Sequence, residues 1–227
     1  MNDYPDYQTY TKLYGRYLTK SIEPFFDGID LKGKRVLDLC AGAGQLSKYA
    51  LEHGASTVFM VDTAPQMLNP DFKSTENILQ VPWDVVDYIR SFHNTLRSFH
   101  NTPVNEIRRF DIVTCRQAVN YWFTSVTGEE IASLVKTGGR LIFNTFGNKP
   151  SEKPTSREYF HGGVAYTEVS YLIDDTVFHV QTAAGMAPHF TQFKWIDREE
   201  FQKKLTPYFI LNEMIDGPSS MWYCTKI

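Results

Sequence analysis

The sequence predicts an α/β fold: a mostly parallel sheet with helices on both faces, a closing β-hairpin, and a β-rich insertion after the fifth strand. Three observations carry this expectation. Apolar runs of strand length alternate with helix-period segments across residues 35–146, the pattern of a parallel sheet and its crossovers. Past Pro154 the alternation gives way to strand-like segments alone. Residues 208–227 then hold two strand-like runs split by "DGPSS", as in a hairpin.

The elements follow in order. "RVLDLC" (35–40) reads as a buried strand. "GQLSKYALEHG" follows as a helix, with Leu46, Tyr49 and Ala50 on one face and Gly54 as its stop. "STVFMVD" (56–62) and "NILQVP" (77–82) are the second and third strands. "WDVVDYIRSFHNTLRSFHN" has the helical period, with Val86, Ile89, Arg90 and His93 along one stripe and Pro103 as its end. "FDIVTC" (110–115) is the fourth strand, "GEEIASLVK" a helix, and "GRLIFNTF" (139–146) the fifth strand. "VAYTEVSYLID", "TVFHVQT" and "HFTQFKWI" are the strands of the insertion. "DREEFQKKL" is a short helix with Asp197 as its N-cap, and "YFILNEMI" with "SSMWYCTKI" forms the hairpin. No linker is long enough to separate domains. One domain over 1–227 divides into an N-terminal helical segment (1–30), a core (35–146), a β-rich insertion (155–196) and a closing helix and hairpin (197–227).

Composition narrows the function. The chain has 227 residues, 42% of them hydrophobic and 22% charged, near the globular average and enough for a full core. A net charge of -3 offers no basic field, so nucleic acid is not an expected partner. "MNDYPDYQTYTKLYGRYLTK" holds no apolar leader, and no run approaches a membrane span. Cys40, Cys115 and Cys224 are odd in number and lack metal spacing, which fits a reducing, cytoplasmic setting. The duplication "RSFHNTL"/"RSFHNTP" (90–103) places Phe92 with Phe99 and His93 with His100 two helical turns apart. Two histidines at that spacing cannot share a metal without a third partner, and the duplication reads as surface helix. No metal site is expected.

The chemistry lies at "VLDLCAGAG" (36–44), where Asp38 stands inside a strand that opens a glycine loop. A phosphate-binding P-loop needs Lys-Ser or Lys-Thr after its last glycine; Gln45-Leu46 stand there instead. The dinucleotide fingerprint needs a third Gly or Ala where Ser47 stands, and Asp38 would repel its pyrophosphate. A ligand with a cationic end and an uncharged ribose suits the loop better. Asp38 helps hold an ammonium, Gly42 and Gly44 let the backbone pass close beneath, and Asp62 ends the second strand where a carboxylate accepts ribose hydroxyls. S-adenosylmethionine has that inventory and carries no phosphate.

The stretch "VLDLCAGAGQLSKYALEHGASTVFMVDTAPQML" resembles the nucleotide-binding half of class I S-adenosylmethionine-dependent methyltransferases, small-molecule type. "FDIVTCRQAVNYW" resembles their fourth strand and the loop facing the sulfonium, and "VKTGGRLIFNTF" their fifth strand. The resemblance covers roughly 35–146 and implies a Rossmann-like methyltransferase fold. Carried over by position, Asp38, Ala41, Gly42 and Gly44 line the methionine moiety and Asp62 binds the ribose. Thr63 and Met67 lie near the ribose or adenine, Trp83 and Asp84 by the adenine, and Arg116 and Gln117 on the sulfonium side. Tyr4, Tyr7, Tyr10, Tyr14 and Tyr17 form an N-terminal lid, with Tyr17 against the cofactor.

The implied reaction is in-line methyl transfer to an O or N atom of a small organic metabolite. Arg116-Gln117-Ala118-Val119-Asn120-Tyr121 lacks the Asn/Asp-Pro-Pro-aromatic motif of base-modifying relatives, and Arg116-Gln117 are not magnesium ligands. The insertion is the expected acceptor wall. Alternation groups His189, Thr191, Phe193 and Trp195 on one strand face and His179 with Gln181 on another. His189 is the leading candidate for a general base or orienting group, with His179 and Tyr121 as further catalytic candidates. The alternatives weighed are a nicotinamide oxidoreductase, an RNA methyltransferase using Arg108-Arg109, and a non-catalytic cofactor-binding protein. A monomer or homodimer is expected.

Overall fold

The computed structural model describes residues 5–20, 22–74, 76–98, 108–146, 148–216 and 219–227. Tyr4, Phe99, His100, Pro103 and the Tyr17 side chain lie outside the described residues.

The core sheet opens with β1 (Arg35–Leu39), β2 (Thr57–Val61) and β3 (Ile78–Val81), all parallel. The chain then crosses back to β4 (Phe110–Cys115) beside β1, and to β5 (Val135–Phe146) beyond it. Hairpin β10 (Phe209–Asp216) and β11 (Ser219–Lys226) closes the edge antiparallel to β5. The resulting order is β10-β11-β5-β4-β1-β2-β3. Strand order reverses between β1 and β4, so their C-terminal ends splay apart and leave a crevice, the general ligand position of open α/β sheets.

Alternation along the buried strands sorts side chains onto two faces. Leu37, Leu39, Val113 and Phe143 point to the face covered by α3 (Val85–Ser98), α4 (Gly128–Leu134) and α5 (Arg198–Leu205). Val36, Val58, Ile112 and Ile142 point the other way, toward α2 (Gln45–Glu52) and Phe25, Phe26 and Phe72. Thr127 and Glu130 cap α4 reciprocally, through Glu130 N–H to Thr127 Oγ1 at 3.1 Å and Thr127 N–H to Glu130 Oε2 at 2.6 Å. The three cysteines are free thiols. Among the described residues no helix is long and apolar enough to cross a membrane.

The insertion is a separate antiparallel sheet, β6 (Thr155–His161), β7 (Val164–Ile173), β8 (Thr176–Ala183) and β9 (His189–Lys194), in that order. Its first strand is absent from the sequence expectation. β6 is an edge strand, exposed along nearly its whole length, so no apolar alternation marks it. Its turn is legible: Gly162 and Gly163 both take positive φ, +57° and +78°, the two-residue hairpin geometry that favours glycine.

Two further expectations need correction. In α3 the buried residues are Val85, Ile89, His93 and Leu96, while Arg90 is exposed and reaches out to the Ser125 carbonyl at 2.6 Å. Long cationic side chains stay at the surface unless fully paired. Asp197 precedes α5 but makes no side-chain cap; its Oδ1 accepts the Trp195 indole N–H at 2.8 Å instead.

Gly44 starts α2 with φ +77°. A Cβ there would stand 2.4 Å from the Phe72 ring and 2.7 Å from the Met60 methyl. Gly44→Ala therefore combines left-handed strain with overpacking and should cost about 2 kcal/mol or more. Chemical denaturation measures it; an unchanged midpoint would show that Phe72 and Met60 yield freely.

Candidate functional site

The site begins with a buried carboxylate. Asp38 is 2% exposed and shares its sheet face with Thr114, its register partner on β4. Its two oxygens accept from Ser47 Oγ of α2 at 2.7 Å and Thr114 Oγ1 at 3.0 Å. Burial pushes its pKa up to about 6, against the pull of those hydroxyls and of Arg116. It still borders the cavity described below.

Asp62, just past β2, holds the glycine loop from the other side. Its Oδ2 accepts the Gly42 N–H at 2.7 Å and its Oδ1 the Ala64 N–H at 2.8 Å. Each oxygen keeps a further lone pair, so the carboxylate is oriented without being used up. Burial raises its pKa against these bonds. Gly42 has φ +56°, and a Cβ on it would stand 3.4 Å from the Tyr10 hydroxyl and 3.6 Å from the Met67 methyl. Cys40 and Gln117, just past β1 and β4, also take left-handed φ, 55° and 56°. Backbone of that kind persists where neighbours enforce it, and Asn144 Oδ1 accepts the Gln117 N–H at 2.6 Å.

A cavity of about 740 Å³ lies over these loops. Asp38, Ala41, Gly42, Asp62, Thr63 and Met67 border it. So do Trp83, Asp84, Arg116, Gln117, Tyr121, His179 and His189. Gly44 does not; it faces Phe72 and Met60 in the core. Asp84 also caps α3, accepting the Val86 N–H at 2.8 Å. Burial lowers the pKa of Arg116, whose Nη2 lies 3.4 Å from Gln45 Oε1.

One face of the insertion sheet forms the opposite wall. Register places His179 across from Ser170 and Thr191, and Gln181 across from Glu168 and His189. Burial lowers the pKa of both His179 and His189. Ser170 Oγ meets His179 Nδ1 at 2.8 Å, and the Tyr14 hydroxyl bonds His189 Nδ1. Trp195 leaves this row; its indole turns to Asp197 and its ring packs with Leu172, Val177 and Phe193. Helix α1 (Tyr7–Lys20) spans from loop to wall. Tyr10 sits at Gly42, the Gln181 amide donates to the Leu13 carbonyl at 2.5 Å, and the Tyr166 hydroxyl to the Lys12 carbonyl at 2.7 Å.

Sequence reasoning missed Glu168, which is 8% exposed, borders the cavity and accepts from the Tyr159 hydroxyl at 2.8 Å. It missed Phe146 as well, whose ring stacks on Phe193 at 4.9 Å. Glu168 is two residues from Ser170 and so shares its face; the signal was the strand period within "TEVSY". Phe146 closes a buried strand and carries no comparable signal.

A family profile described as "Methyltransferase domain" matches residues 7–192. A ubiquinone biosynthesis O-methyltransferase from Neisseria meningitidis serogroup C is 27% identical over 130 residues, 56% of this chain and 50% of that protein. One from Xanthomonas euvesicatoria is 29% identical over 125 residues, 54% of this chain and 47% of that protein. The chain spans about half the length of these curated relatives. Among solved structures, an S-adenosylmethionine-dependent methyltransferase from Clostridium acetobutylicum superposes with TM-score 0.67 at 16% identity, covering 97% of this chain and 98% of that one. An amino pentose methyltransferase from Micromonospora echinaspora gives TM-score 0.66 at 16% identity, covering 100% and 99%. A sugar N-methyltransferase from Streptoalloteichus gives 0.64 at 13%, covering 100% and 96%. These likenesses show the fold to be that of class I methyltransferases.

The raised pKa of Asp38 makes its contribution to stability pH-dependent. Its share is fully present below the unfolded value of 3.8 and is lost as pH rises through about 6. Asp38→Asn keeps partners for Ser47 and Thr114 without the buried charge. The ligand-free variant should gain about 1–3 kcal/mol over wild type by pH 7 and nothing near pH 3. Urea unfolding at both pH values measures the difference; a gap independent of pH would show that Asp38 is not desolvated in the folded chain.

Proposed function

Because the chain belongs to the methyltransferase-domain family, we propose that it transfers the methyl group of S-adenosylmethionine to a small organic acceptor, with an amine nitrogen as the acceptor atom. One observation carries the reading: a single cavity joins a carboxylate-flanked glycine loop to a wall rich in hydrogen-bond acceptors.

The residues present fit that cofactor. Gly42 turns the loop at φ +56°, a conformation that favours glycine, and two carboxylates beside the loop favour a cationic, phosphate-free ligand. Asp62, oriented by two backbone donors, would take the ribose hydroxyls. Arg116 would meet the carboxylate of the amino-acid end, and the half-exposed Trp83 indole would cover the adenine. Asp38, already bonded to Ser47 and Thr114, would act on the ammonium from the cavity floor. When bound, the sulfonium supplies an electrophilic methyl and a neutral leaving group.

The chain's own work is then orientation, water exclusion and proton uptake. Orienting acceptor and methyl in one cavity is worth up to about 7–11 kcal/mol of barrier. On the acceptor wall, Glu168 offers a buried carboxylate, and the buried Gln181 Oε1 meets no donor among the described residues. Such a wall calls for a donor-rich, cationic group, which the rings of Tyr121 and Phe193 also suit. His179 and His189, kept neutral near pH 7 by burial, are placed to take the proton the amine sheds. The amino pentose and sugar N-methyltransferases that share the fold support this reading. A hydroxyl acceptor is the second reading: the His189–Tyr14 pair beside Tyr121 and Phe146 also suits a phenol, and the curated relatives are O-methyltransferases.

Asp62→Ala should weaken binding of S-adenosylmethionine and its demethylated product at least tenfold, the effect of losing a hydrogen bond to a charged group. Calorimetry on the folded variant tests it, and wild-type affinity would remove the ribose assignment.

Acceptor class separates at Glu168. With a panel of amino sugars and phenols followed by mass spectrometry, methyl gain should fall on an amine. Glu168→Gln should then raise its KM about 10- to 100-fold with cofactor affinity unchanged. Methylation confined to phenols, indifferent to Glu168→Gln, would select the hydroxyl reading.

A further inference from the structure

The insertion sheet has a second face, turned away from the cavity. β6 contributes Ser156, Glu158 and Phe160 to it, and β7 contributes Ala165, Thr167, Val169 and Tyr171. Phe178, Val180 and Thr182 come from β8, and Phe190, Gln192 and Lys194 from β9. Every one of these residues is partly or fully exposed, whereas the cavity face holds Tyr166, Glu168, Val177, Gln181 and Phe193 buried. Among the described residues the sheet is therefore covered on one side only.

The uncovered side carries an apolar band where solvent would favour polar residues. Val169 pairs with Val180 across β7 and β8, and Val180 with Phe190 across β8 and β9. Tyr171 and Phe178 stack with centroids 5.3 Å apart. Phe160 is 81% exposed and Phe190 69%, and they stand on the two opposite edge strands. An antiparallel sheet with one solvated face normally turns polar residues outward; this one sets Phe160, Ala165, Val169, Tyr171, Phe178, Val180 and Phe190 among its outward polar residues. Contiguous exposed patches of this kind mark interaction surfaces.

We propose that this face docks against the same face of a second copy of the chain, making a two-fold dimer through the insertion sheets. Area supports that occupant. Four strands at about 4.8 Å spacing and eight residues in length project to about 500 Å². The corrugated side-chain surface over that projection approaches the roughly 800 Å² per partner of a standard stable interface. The geometry is also self-complementary. A two-fold axis along the strands lays β6 of one copy over β9 of the other, bringing the two most exposed rings into the interface. Glu158 and Lys194, the charged members of the face, stand on opposite edges and set no like-charge cluster against itself.

The dimer also touches the site without forming part of its chemistry. Phe190 belongs to this face and to the cavity rim alike, so docking would cover its outer side and shield the cavity mouth from water.

Sedimentation equilibrium of the full chain should show a dimer at micromolar concentration. Val180→Lys, at the centre of the face, should raise the dimer dissociation constant about thirtyfold or more, as loss of an interface hot spot does. Phe160→Lys, at a position 81% exposed, tests the same surface where folding is least affected. Both variants should keep the wild-type circular dichroism spectrum and S-adenosylmethionine affinity. A wild-type chain that stays monomeric at tens of micromolar would overturn the proposal. So would a dimer that survives both substitutions.

Discussion

Much of the molecule is arranged around one buried carboxylate. Asp38 sits in a strand covered on both faces, where a charge is costly, and the structure supplies hydroxyls from two different elements to receive it. Ser47 brings the first turn of α2 to it, and Thr114 brings β4. The same contacts fix where β1 and β4 part, and that parting is the cavity floor. The desolvation that penalises the folded chain is also what makes the carboxylate useful. A charge held in a dry floor attracts a cation far more strongly than one in water.

Core and insertion meet beside the cavity. Asn120, 5% exposed, donates to the Lys194 carbonyl at 3.0 Å and ties the segment after β4 to β9. Phe146 ends β5 and stacks on Phe193, which Tyr121 meets edge-on at 5.5 Å. The insertion sheet is thus fastened to the strand ends that carry the cavity loops. Positions across the cavity are set by packed rings and one buried amide, which suits a site where orientation is the main source of rate.

How much of this is legible in sequence depends on burial. β1, β2, β4 and β5 are largely buried, so each leaves a mainly apolar run, whereas β3 at the sheet edge is buried only at Ile78; the glycine loop with Asp38 and Asp62 stands out against them. β6 leaves no such run because an exposed edge strand needs no apolar residues. Arg90 fell on the wrong side because a helical stripe drawn by spacing alone does not distinguish Val85 from Val86; the buried line passes through Val85 and Ile89. Gly44 looked like a ligand-side glycine, yet its missing side chain makes room for Phe72. Strand parity paired His179 with Gln181 and set His189 beside Thr191 and Phe193, but only register brings the two groups and Glu168 onto a common face. The left-handed residues Cys40 and Gln117 carry no composition signal, since their conformation is imposed by neighbours.

Helix α1 rests on both sides of the cavity at once, with Tyr10 over the glycine loop and Lys12, Leu13 and Tyr14 bonded to the sheet wall. These anchors are consecutive turns of one short rod, so it cannot lift from one bank and stay on the other without breaking its own backbone hydrogen bonds. A beam that rests on both banks carries load between them, so a shift of the glycine loop is felt at the sheet wall.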